Sequence, residues 1–183
     1  MAELFNNKYR IKSIRLKHYD YSSCGAYYVT ICTKNREHFF GDLVNGKMEL
    51  SEIGEIVLDE WIKTKQIRDY VRLDEFVVMP NHFHGIVIIE NNVMSNVETC
   101  RGMSLQKYNR FSKPLANSIS MIINHFKSAV KRWCNKNGCE HFEWQRGFYE
   151  HIIRDENGLN RIREYIINNP IQWKLDMNYQ NGL

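Results

Sequence analysis

The chain has 183 residues, of which 43% are hydrophobic and 25% charged, the balance of one globular domain with a core of its own rather than of a disordered segment. The formal net charge of +4 permits a polyanionic partner without demonstrating one. Five cysteines at irregular spacing (Cys24, Cys32, Cys100, Cys134, Cys139) make a poor disulfide framework. With no signal-like N-terminal run and no apolar run of membrane-spanning length, the expectation is a cytosolic chain with reduced thiols and no membrane partner.

The N-terminal stretch interleaves Lys8, Arg10, Lys12, Arg15 and Lys17 with Tyr9, Ile11, Ile14 and Leu16. It reads either as a solvated basic arm or as an arm for phosphates with a ring available for stacking. Tyr27–Thr33 is β-branched and aromatic and predicts a first strand. Residues 39–50 carry turn signals. Ser51 is a candidate N-cap for a helix to about Gln66, in which Ile53, Ile56, Val57 and Trp61 recur at helical spacing.

Leu73–Met79 and His82–Ile89 predict two strands joined by the Pro80-Asn81 turn as an antiparallel hairpin. The second strand is apolar on both faces at its end, as a central strand should be. Residues 91–114 read as a long polar loop. Ile119, Ile122, Ile123, Phe126, Val130 and Trp133 trace one face of a second helix. Its outer face carries Asn124, Lys127, Ser128 and Lys131, a basic stripe suited to phosphate, with Gly138 ending the helix. A fourth strand is expected over 142–153, bent at Gly147, and a last helix from Asp155 to Asn169, stopped by Pro170. The order β-α-β-β-α-β followed by a helix is the ferredoxin-like, RRM-like α+β plan.

Two constellations stand out. His82 and His84 alternate on a strand, so both imidazoles project to one face and are spaced to chelate one ion. The competing reading is a pair of histidines beside a hairpin. On the last helix, Leu159, Ile162 and Ile166 form the apolar stripe, with Tyr165 and Asn169 on its margin one turn apart, able to look into the seam between helix and sheet. An amphipathic tyrosine and a helix-ending asparagine would give the same pattern. Glu150 and His151 are candidates for contacts behind a metal or for a proton shuttle, against the reading of a mixed-charge surface strand. Cys134 and Cys139 lack the ligand number and paired spacing of a zinc site. No phosphate-binding loop or dinucleotide fingerprint is present, so no nucleotide cofactor is expected.

The stretches IRLKHYDY, YYVTICTKNREHFFG, FVVMPNHFHGIVI, FKSAVKRW, WQRGFYEHIIRDE and YIINNPIQW resemble the REP-associated tyrosine transposases, members of the single-tyrosine HUH transposases of insertion sequences. The likeness runs from about Lys8 to Lys174. It implies one transposase domain, with a basic arm over 1–25, a catalytic core over 26–175 and a short tail over 176–183. It further implies Tyr165 as the nucleophile, His82, His84 and Asn169 as ligands of Mg²⁺ or Mn²⁺, and cleavage and rejoining of single-stranded DNA beside a hairpin through a 5′-phosphotyrosine. Relatives include monomers and homodimers. The loop 91–113 matches less well. The rival expectations are a domesticated binder of DNA or RNA hairpins that does not cut, and a replication initiator or relaxase. The small size and the absence of a helicase or second-tyrosine motif disfavour the last.

Overall fold

The computed structural model describes residues 19–90 and 117–173, together with the backbone of 4–5 and 8–9. The side chains of the basic arm (Lys8, Arg10, Lys12, Arg15, Lys17) and the whole of the loop expected over 91–114 lie outside the described residues. A two-residue pairing of β1 (Leu4–Phe5) with β2 (Lys8–Tyr9) precedes the main body.

The centre of the fold is an antiparallel sheet of β3 (Gly25–Cys32), β6 (Val71–Met79), β7 (His82–Ile89) and β8 (Tyr149–Ile153), in the spatial order β6-β7-β3-β8. This is the strand order of the ferredoxin-like plan, with the expected third strand, β7, in the interior. Among the described residues three α-helices complete it: α1 (Glu52–Gln66), α2 (Ile119–Lys136) and α3 (Glu156–Asn168). Each begins at a side-chain cap. Ser51, Ser118 and Asp155 accept hydrogen bonds from the backbone N–H of Gly54, Met121 and Gly158, each satisfying a donor that the first helical turn leaves without a partner.

Two expectations change. Residues 39–50 are not only turns, because β4 (Gly41–Val44) and β5 (Lys47–Leu50) pair as a small hairpin. Its Asn45-Gly46 corner has positive φ at both residues, the backbone such a two-residue turn requires. The fourth strand is shorter than 142–153. Only Tyr149–Ile153 pairs with β3, and Trp144 makes an isolated bridge to Thr33. Gly147, at φ +77, takes the chain out of extended geometry between them.

Alternation along the strands divides the sheet into unequal faces. On one face Tyr27, Val29, Ile31, Phe83, Val87 and Ile89 meet Val57 and Trp61 of α1 and Ile122, Phe126 and Val130 of α2. The other face holds a small cluster of Tyr28, Ile86, Ile153 and Ile166, with Leu159 and Ile162 of α3 packed against it. Trp61 is the keystone of the larger core, with its ring centroid 4.5 Å from Phe83 and 5.3 Å from Phe126. Its indole presses so close to β7 that a Cβ on Gly85 would lie 2.6 Å from Trp61 Cζ2 and 2.8 Å from Phe83 Cε1. Glycine therefore follows His84 because α1 lies against the strand directly behind it. Gly85→Ala is expected to destabilise the chain by about 1–3 kcal/mol through overpacking, read as a lowered urea midpoint at unchanged slope.

Candidate active site

On the smaller face, β7 presents His82 and His84, both essentially buried, with ring centroids 4.4 Å apart. Each is held from behind by its Nδ1. The His82 Nδ1–H donates to Asn81 Oδ1 (2.9 Å), while Asn81 Nδ2 donates to the Arg36 carbonyl (3.0 Å). Since the amide nitrogen is committed to a carbonyl, its oxygen must face the ring, and the ring must carry its proton on Nδ1. The lone pair of His82 then resides on Nε2, a fully buried atom. Asn81 is thus more than the expected turn residue. The Nδ1 of His84 lies 2.7 Å from Tyr28 Oη and 2.9 Å from Thr30 Oγ1, and Thr30 also donates to Tyr28 Oη (3.1 Å). These hydroxyls sit across the β3–β7 ladder, where Thr30 pairs with His84. Their even spacing with the histidine face was readable in the sequence, yet nothing there singled them out.

α3 brings Tyr165 to this cluster. Its hydroxyl lies 3.5 Å from His84 Nε2, a contact at the limit of hydrogen bonding. Its ring is 5.3 Å from that of His84 and 6.3 Å, edge-on, from that of Tyr28. Tyr165 is 40% exposed while neighbouring Ile166 is 1% exposed, so it occupies the margin of the apolar stripe as its helical position requires. Asn169 caps the helix one turn later and is buried, Oδ1 included. Just beyond, buried Trp173 stacks on the His82 ring at 5.6 Å, a wall of the site that the sequence pattern did not mark.

The remaining candidates separate. His151 and Tyr149 pair with Tyr28 and Thr30 and share their face. Glu150 pairs with Val29, a residue of the larger core, so it projects to the opposite side of the sheet from the histidines and does not stand behind them. Lys127 and Lys131 also lie on the far side. The Lys127 ammonium donates to the carbonyls of Gln145 and Gly147 and sits 5.8 Å above the Trp144 ring. Lys131 donates to the carbonyls of Glu140 and Phe142. The expected basic stripe therefore staples the 140–147 segment onto α2. Burial pushes the Lys127 ammonium down to about 8, and its two carbonyl acceptors and the indole face oppose that shift. Among the described residues no group of three or more His, Cys, Asp and Glu gathers as a metal cluster.

One ion pair fixes the helix that carries Tyr165. Arg163 grips Asp74 with one edge of its guanidinium, Nε donating to Oδ1 and Nη2 to Oδ2, each at 2.7 Å. Asp74 lies in a bulge of β6. Leu73 faces Val87 and Phe76 faces Gly85, leaving one extra residue on β6, and such a bulge re-aims a side chain out of the normal alternation. The guanidinium holds the Asp74 carboxyl below the usual carboxylate range. A depressed carboxylate stabilises the fold above its unfolded pKa, about 4, and loses that contribution only as pH falls through its lower folded value. The clamp is therefore complete at neutral pH. Asp74→Asn should speed hydrogen exchange of the α3 amides at pH 7 while leaving those of β3 and β7 protected. Equal acceleration in the sheet would show that the clamp supports the whole fold rather than the helix.

No protein-family model matches the chain. An uncharacterized protein of Haemophilus influenzae is 43% identical over 168 residues, covering 92% of each chain. Among solved structures, the REP-associated tyrosine transposase bound to a REP hairpin is similar over 89% of this chain and 74% of that one, with a TM-score of 0.58 and 18% sequence identity. The chain accordingly belongs to one family with the Haemophilus influenzae protein and is built on the fold of the REP-associated tyrosine transposase.

Proposed function

We propose that the protein is a metal-dependent transposase-type enzyme that cuts and rejoins single-stranded DNA beside a hairpin, with Tyr165 as its nucleophile. The observation that carries this reading is the convergence of Tyr165, His84 and His82 on one face of the sheet, with Asn169 one helical turn beyond the tyrosine. A transposase of the same fold bound to a REP hairpin supports DNA as the substrate.

The donor set suits a divalent ion. His82 carries its proton on Nδ1, and the hydroxyl oxygens at His84 Nδ1 can accept a hydrogen bond from an Nδ1–H, so both Nε2 atoms can ligate alongside the Asn169 amide oxygen. Three neutral donors leave positions open for phosphate and water. Imidazole also accepts Zn²⁺, and the preference for Mg²⁺ or Mn²⁺ comes from the transposase resemblance. When bound, the ion would neutralise and orient the scissile phosphate. The chain supplies the rest. Tyr165 is exposed enough to meet a phosphate and to pass its proton to solvent. Its phenolic oxygen forms a bond to phosphorus, the P–O3′ bond breaks, and the 3′ oxygen leaves as a hydroxyl. One phosphodiester is exchanged for another, so rejoining requires no ATP. Free tyrosine ionises near pH 10, which makes loss of that proton the step the site must assist.

Incubation of a 3′-labelled single-stranded hairpin with the protein and Mn²⁺ should give a labelled band that survives denaturation, and Tyr165→Phe should erase it while hairpin binding persists. Nucleotide mapped to Tyr149, or cleavage by Tyr165→Phe, overturns the assignment. Hairpin binding without any adduct in the wild-type chain would favour the non-cutting binder instead. For the metal, Mn²⁺ at about 100 times its Kd should stabilise the fold by about 2.7 kcal/mol, an increment reversed by EDTA and lost in His82→Ala and His84→Ala. Full cleavage activity of either variant, or of the wild type in EDTA, would rule out the site.

A further inference from the structure

A groove of about 450 Å³ runs between the outer edge of β8 and the first turns of α3, lined by Tyr149, His151, Arg154, Gly158 and Arg161 among others. β8 is an end strand of the sheet, and among the described residues no further strand covers this side. Tyr149, one of its lining residues, is 45% exposed, with its ring edge-on to Tyr28 at 6.4 Å. Tyr28 in turn lies within hydrogen-bonding distance of His84. Arg161 precedes Tyr165 by four residues, so both side chains leave the same face of α3 one turn apart. Arg154 and Arg161 are exposed. Of the two acidic residues that line the groove, the Asp155 carboxylate is engaged in capping α3 at Gly158, and Glu150 has one carboxylate oxygen buried.

We infer that this groove carries the single-stranded DNA flanking the cleaved bond, with a base stacked on Tyr149 and phosphates following Arg154 and Arg161. The chemistry fits a strand rather than a duplex. An aromatic face accepts any unpaired base, and cations at the rim track the backbone. The groove also solves a problem of alignment. A phosphate at Tyr165 is held on one side only by the histidine cluster, and a stacked neighbour would fix the direction in which the strand leaves. The inference rests on the proposed strand-cleaving function, and its test is a binding measurement that stands apart from cleavage.

In a Tyr165→Phe background, which removes the nucleophile, a single-stranded oligonucleotide with 2-aminopurine beside the cleavage position serves as the probe. Binding should quench its emission by stacking. Tyr149→Ala should weaken affinity about tenfold and abolish the quench, while Tyr149→Phe, which keeps the ring, retains both. Replacing Arg154 and Arg161 together by Gln should lower the log–log salt slope of binding by about 1.4, at 0.7 per phosphate contact on a single strand. Unchanged affinity and slope in these variants overturns the groove, as does equal loss in Tyr149→Phe and Tyr149→Ala. If the wild-type chain still forms its covalent adduct on Tyr165, the groove alone has failed. If it forms none, the cleaving function has failed whatever the groove binds.

Discussion

Pairing of β7 between β3 and β6 fixes which face of the sheet every functional side chain can reach. Cys32 and Met79 both register against His82, and Thr30 and Val77 against His84. A slip of one residue would send Phe83 and Val87 into the site and bury both histidines against Trp61. The slip is opposed by the larger core, in which Phe83, Val87 and Ile89 are packed by two helices, and by Gly85, the residue of this strand whose missing side chain admits the indole. Hydrophobic packing on one face thus sets the geometry of polar groups on the other. This is how a sheet a few ångströms thick can hold two buried imidazoles in one orientation.

Much of this was legible in the sequence because it depends on short-range periodicity. The β-branched and aromatic run of Tyr27–Thr33, the doubly apolar end of His82–Ile89 and the helical stripes of α1, α2 and α3 specify the elements and their order. Ser51 marks where α1 begins. The margin position of Tyr165 follows from angles around a helix, with no knowledge of the sheet. What escaped were features created by chain crossings. Lys127 and Lys131 look like a solvent-facing stripe on a helical wheel, but a wheel does not register that the 140–147 segment returns across it with its carbonyls inward. Glu150 beside His151 looks like a pair, though adjacent strand residues point to opposite faces. The β4–β5 hairpin was hidden because its strands are four residues each, too short for alternation to rise above the turn signals around them.

The supports of the site belong to the same class. Asn81, Tyr28 and Thr30 orient the imidazoles through hydrogen bonds between residues distant in sequence or hidden within a turn. Asp74 reaches Arg163 only because a bulge interrupts β6. Each is an ordinary residue type in an ordinary local pattern, and each acquires its role from what the fold brings opposite it. Local patterns therefore name reactive groups more readily than the groups that aim them.

The unequal division of the sheet has a bearing on inheritance. Most of the apolar burial lies with α1 and α2, whereas α3 sets Ile166 against three buried residues of the smaller cluster and is held by one clamp. Under the strand-cutting function proposed above, a change at Tyr165, 40% exposed, would be screened by selection for chemistry and only weakly by selection for foldability. A lineage released from the need to cut DNA could lose the reactive helix's function gradually while its members still fold and accumulate in the cell. The scaffold is thus free to persist as a binding protein, and descendants that cut and descendants that only bind would be expected to share the larger core and to diverge first along α3.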